Sequence, residues 1–139
     1  MNYKARKKIL EVATDARAFM ETFARDNPTI GDPTTLGCYC AIASGHLHTA
    51  LKKNGIKAQI AINDHHAFVL VDDGSHIVDI TATQFDDEYD PVMLLPLPSE
   101  PNREEFWEPK AVFNSPRALR KHQVKDGWPM DQRAVLKIC

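Results

Sequence analysis

The chain has 139 residues, enough for one domain with one core, and its 43% apolar and 26% charged residues are an ordinary globular composition. A net charge of -2 with mixed signs leaves no basic stripe for nucleic acid, and no apolar run approaches the ~20 residues of a membrane span. Three cysteines, with Cys38 and Cys40 too close for a framework disulfide and no signal peptide at the start, lead to an expectation of a reducing, cytoplasmic setting.

The spacing predicts an amphipathic helix over residues 3–25. Ile9, Val12, Ala13, Ala16, Phe19, Met20 and Phe23 form its apolar stripe, and Lys4, Arg6, Lys7, Lys8, Arg17 and Arg25 its solvated side. Asn27-Pro28 ends it, and Pro28, Gly31, Pro33 and Gly37 mark a loop. A second helix opens near Cys40. Cys40, Ala43, Ser44, Leu47, Ala50 and Leu51 share one face; Ala41, Gly45, Thr49 and Lys52 fall on the opposite face, where water is tolerable. Asn54-Gly55 is its left-handed stop. Cys40 thus sits at a helix N-terminus, where orphan N–H groups and the dipole favour a thiolate.

After Gly55 the period changes to that of strands: residues 56–62, then 66–71, apolar throughout and so expected to be buried on both faces, then 75–80. Residues 81–90 read as acidic loop, 92–95 as a short edge strand and 98–109 as irregular wrapping. Ser115-Pro116 opens a helix to about Asp126, closed by Gly127, with one more short helix from Asp131.

Cys40, His66 and Asp79 make the one constellation with chemistry in it. A two-residue turn at Asp72-Asp73 puts His66 directly opposite Asp79; one at Asp73-Gly74 makes them diagonal neighbours on the same face. A three-residue loop with a bulge at Gly74 puts them on opposite faces. On a shared face, Asp79 fixes the tautomer of His66, whose other nitrogen then faces Cys40.

Gly37-x-x-Cys40-x-x-Ala43-Ser44, Leu47, Ala50-Leu51 and Gly55-Ile56 resemble the nucleophile helix of the transglutaminase-like, papain-like cysteine enzymes. His66-Ala67-Phe68-Val69-Leu70-Val71 is similar to that family's His-Ala-Trp-Val-x-Val strand, and Val78-Asp79-Ile80-Thr81 to its Asp-Pro-Thr strand end. The resemblance covers residues 37–83. It departs from the family at Cys38, where glycine is usual, and at Ile80, where proline is usual. His65 is a neighbouring alternative to His66 as the base.

The resemblance implies an α+β papain-like or transglutaminase-like core in a single domain over residues 1–139, its nucleophile helix packed on a small antiparallel sheet. It implies a thiol enzyme with the triad Cys40, His66 and Asp79, acting on a peptide or protein amide, or on a small acyl or amine substrate, as a protease, deamidase or transglutaminase. No cofactor or metal is called for, and the oligomeric state is open. The backbone N–H of Cys40 is the natural first oxyanion donor; Thr34, Thr35 and Tyr39 are candidates for the second. Two rival readings are an inactive binding module of the same fold and a metal site built from Cys38, Cys40, His46, His48, His65, His66 and His76. His46 and His48 point about 160° apart on a helix, so they do not converge on one ion and read as helix-flank histidines.

Overall fold

The computed structural model describes residues 1–99 and 101–125. It is α+β. Among the described residues, three helices accompany a five-stranded antiparallel sheet of order β4 (Met93–Pro96), β3 (His76–Asp79), β2 (Ala67–Val71), β1 (Ala58–Ile62) and β5 (Ala111–Phe113). The short helix expected from Asp131 and the stop at Gly127 lie outside the described residues.

Helix α1, Tyr3–Asp26, is capped by Asn2, whose Oδ1 accepts from the Ala5 N–H at 2.8 Å. Its stripe is buried at Ile9, Val12, Ala13, Ala16 and Met20, and these residues join Leu47 and Leu51 of α2 (Cys40–Lys53) in the main core. Two residues of α1 depart from the expected pattern. Phe19 is 49% exposed, its ring stacked on His46 rather than inserted in the core. Arg17, expected on the solvated side, is buried; its Nη1 donates to the Ile80 carbonyl at 2.9 Å and to Thr83 Oγ1 at 3.0 Å. A helical period assigns a face by polarity and cannot register that a neighbouring turn offers acceptors to a guanidinium.

Strands β1 (Ala58–Ile62), β2 (Ala67–Val71), β3 (His76–Asp79) and β4 (Met93–Pro96) fall where the alternation put them, with β4 at one edge. Every residue of β2 is buried. Val69 and Val71 face the core shared by α1 and α2, while Phe68 and Leu70 pack with Ile77, Ala82 and Trp107. Just after the stretch read as irregular, in residues given no element from sequence, lies a further strand, β5 (Ala111–Phe113), paired with β1 on the other edge. Helix α3, Pro116–Lys125, opens as expected, with Ser115 Oγ accepting from the Ala118 N–H at 3.1 Å.

The outer face of α2 is less wet than its pattern suggested. Ala41 is buried, in a small cluster with Leu119 of α3, and Gly45 faces Pro116. No helix is long and apolar enough to cross a membrane among the described residues.

Candidate active site

Cys40 is the first residue of α2, fully buried and not tied in a disulfide. The loop that delivers it is tight. An Asp32–Gly37 bridge closes it, and a Cβ on Gly31 would lie 2.0 Å from the Gly37 carbonyl oxygen, so only glycine fits there. Leu36 and Cys38 both adopt left-handed backbone, with φ of 63° and 69°. Cys38 therefore holds the conformation that glycine takes without strain, at the position where the family pattern has glycine. Cys38 is itself disulfide-bonded.

The β2–β3 hairpin decides the parity question. Val69 pairs with Val78, Leu70 with Ile77 and Val71 with His76. The connection is a four-residue loop with Asp72, Asp73 and Gly74 all at positive φ, and its register makes His66 and Asp79 diagonal neighbours on one face. His66 Nε2–H accordingly donates to Asp79 Oδ2 at 2.7 Å, and both side chains are buried. The Cys40 thiol hydrogen-bonds the same imidazole. The three residues singled out by sequence thus meet at the end of the sheet. His65 is exposed, and its backbone N–H binds Asn63 Oδ1 at 2.9 Å.

The electrostatics follow from the partners. Burial alone would push the His66 imidazolium down. The charge of Asp79, its hydrogen bond and the contact with Cys40 outweigh that and raise His66 to about 10. Burial would likewise raise the Asp79 carboxyl. The His66 charge and the hydrogen bonds of His66, Trp107 and the Thr81 backbone hold it below the usual carboxylate range. The result is a buried ion pair whose carboxylate has its remaining lone pairs satisfied.

Several members of this centre escaped the sequence reading. Trp107 Nε1–H donates to Asp79 Oδ2 at 2.9 Å. Thr81 gives its backbone N–H (2.8 Å) and its hydroxyl (3.3 Å) to Oδ1. Gln84 Nε2 lies 3.5 Å from His66 Nδ1. The Phe85 ring meets the imidazole edge-on with centroids 4.8 Å apart and stacks on Phe106 at 4.0 Å. Trp107 is presented by a turn that Asn63 pins, its Nδ2 donating to the carbonyls of Glu105, Phe106 and Glu108. The sequence did carry two signals: Asn63, a turn-forming residue between two strands, and Thr81, the threonine of the Val78-Asp79-Ile80-Thr81 strand end.

Among the described residues no group of three or more His, Cys, Asp or Glu side chains is placed to hold a metal ion. His48 binds the Ala58 carbonyl at 3.0 Å, and His46 stacks on Phe19. Comparison with protein-family models, curated proteins and solved structures finds no match for this chain.

Proposed function

We propose that the chain is a cysteine enzyme of the transglutaminase-like, papain-like kind, acting on an amide or related acyl bond through a Cys40 acyl-enzyme. The observation that carries the reading is the continuous relay from the Cys40 thiol through His66 to a buried, fully bonded Asp79. The helix-borne cysteine, followed in chain order by histidine and aspartate on adjoining strands, supports the finer fold assignment.

In the proposed reaction Cys40 Sγ attacks the carbonyl carbon, and the carbonyl π pair moves onto oxygen. The intermediate collapses with loss of the amine, which takes its proton from His66. Asp79 keeps His66 oriented and charged. Water or a second amine then attacks the thioester, with His66 accepting the attacking proton and returning it to the departing sulfur. The cysteine argument for a cytoplasmic setting is offset by the disulfide at Cys38, so the proposal names no compartment.

One observation favours the binding-module alternative: Cys40 and His66 are both fully covered. Catalysis requires the cover to open, and Phe85, at 37% exposed and in contact with the imidazole, is the part of it that faces solvent. Mixing the protein with p-nitrophenyl acetate tests the reading. A burst of one nitrophenolate per chain is expected, with the acetyl group mapped by mass to Cys40, abolished in Cys40→Ala and retained in Cys38→Ala. Phe85→Ala should speed the burst several-fold. An adduct on another residue, or none in either the wild type or Phe85→Ala, would leave the binding module as the better account. Adding a primary amine during turnover separates hydrolysis from acyl transfer.

A further inference from the structure

We propose that Arg17 is a positioning residue of this centre: its guanidinium holds both the peptide that orients Asp79 and the loop that delivers Cys40. This rests on the cysteine-enzyme reading above and adds to it a residue that touches none of the reacting atoms.

A buried cation has to be partnered, and the partners of Arg17 show which end of it matters. Its Nε donates to Glu21 Oε1 at 3.1 Å, an i,i+4 pair whose carboxylate is half exposed. Such a pair forms as well on a wet helix face and does not call for burial. The other end does. Nη1 crosses to the turn after β3 and donates to the Ile80 carbonyl at 2.9 Å and to Thr83 Oγ1 at 3.0 Å. The guanidinium is planar and rigid, so the two acceptors are fixed relative to each other.

The Ile80 carbonyl and the Thr81 N–H belong to one peptide unit. Such a unit is planar, and in its ordinary trans form the two groups point in opposite directions. The Thr81 N–H donates to Asp79 Oδ1 at 2.8 Å. Holding the carbonyl therefore aims the N–H, and a charged donor on the oxygen makes that N–H a stronger donor. A single row of hydrogen bonds then runs from Arg17 through this peptide to Asp79, from Asp79 Oδ2 to His66 Nε2 at 2.7 Å, and from the imidazole to the Cys40 thiol.

The second arm goes to the nucleophile. An arginine only donates, so Thr83 Oγ1 accepts from Nη1 and has its own proton left to give. It gives that proton to the Thr35 carbonyl at 3.3 Å. Thr35 lies in the loop closed by the Asp32–Gly37 bridge, which leads into Cys40 at the start of α2. One side chain on α1 is thus tied to the strand end that carries the carboxylate and to the loop that carries the sulfur. The meeting of thiol and imidazole depends on both, and a misplacement of about 1 Å in such a pair slows a reaction by about 10²-fold.

The test reads the two arms separately. The His66 Nε2 proton, in a short hydrogen bond to a carboxylate, gives a far-downfield proton NMR resonance, which reports the Asp79 arm without reference to activity. The p-nitrophenyl acetate burst reports the placement of the sulfur. Arg17→Met should move the resonance upfield and slow acylation by about 10²-fold. Arg17→Lys, which keeps the charge but not the fork, should fall between Arg17→Met and wild type in both readouts, and it serves where Arg17→Met does not fold. Thr83→Val, which cuts only the second arm, should slow acylation by about tenfold and leave the resonance in place. A lower melting temperature with resonance and burst both at wild-type values would make Arg17 a core support and overturn the proposal. A Thr83→Val burst equal to wild type would overturn it too. A wild type with no burst removes the cysteine-enzyme reading instead, and the resonance then decides by itself whether Arg17 orients Asp79.

Discussion

Helix α2 borders two imidazole environments whose net shifts have opposite signs. At its N-terminal end, Cys40 meets His66, which is fully enclosed and yet held as a cation because Asp79 stands 2.7 Å from Nε2. One and a half turns on, His46 lies over Phe19 with ring centroids 4.0 Å apart, beside a groove of about 360 Å³ between α1, α2 and α3. There burial first, and the charge of Lys53 second, push the imidazolium down. Desolvation by itself discharges a histidine; a buried carboxylate with its own donors reverses the sign. The difference separates a histidine that packs against a ring from one held as a cation beside a buried sulfur.

The largest way to break this contrast is to remove the carboxylate charge. Asp79→Asn leaves the buried imidazole without its counter-charge and turns an amide N–H₂ toward groups that are themselves donors. A loss of about 3–5 kcal/mol in denaturant unfolding is expected, the cost of breaking a buried pair from one side. A loss under about 1 kcal/mol would reduce Asp79 to a strand-end cap.

A smaller effect sharpens the same contrast through pH. His66 is raised in the folded state, so its contribution to stability is complete below its ordinary value near 6.5 and is lost as pH rises toward about 10. His46 is lowered, so its contribution is present above 6.5 and is lost as pH falls through its depressed value. Melting temperatures from pH 4 to 10 should therefore fall on both flanks. His46→Gln should soften the acid flank and leave the alkaline flank in place. An alkaline flank that disappears in His46→Gln would mean that the two environments have been assigned the wrong way round.

What the sequence made legible was the part with a period. The few possible turn lengths at Asp72–Gly74 narrowed His66 and Asp79 to one face or opposite faces, and the helix that starts at Cys40 was readable from its apolar spacing and the Asn54-Gly55 stop. The supporting shell had no period to read. Arg17 looked like one more basic residue on a wet face, yet it binds across 63 residues to Ile80. Trp107 sat among prolines in a stretch without pattern, and reaches Asp79 only because Asn63 fixes the turn that presents it. Strand β5 is three residues long between Pro109 and Ser115-Pro116, too short for alternation to show. Side chains that complete a centre from distant turns are selected by the tertiary fold, and local spacing carries no trace of them.

The central claim is that Asp79 holds His66 as a cation beside the Cys40 sulfur. The most direct measurement is the rate of iodoacetamide alkylation at Cys40 between pH 5 and 9, in wild type and in Asp79→Asn, at a temperature where melting curves show both folded. The account predicts slower reaction near neutral pH and a displaced profile in the variant, because Asp79→Asn removes the charge that holds His66 as a cation beside the sulfur. Superimposable profiles on two folded proteins would contradict it and leave at most a cysteine–histidine pair.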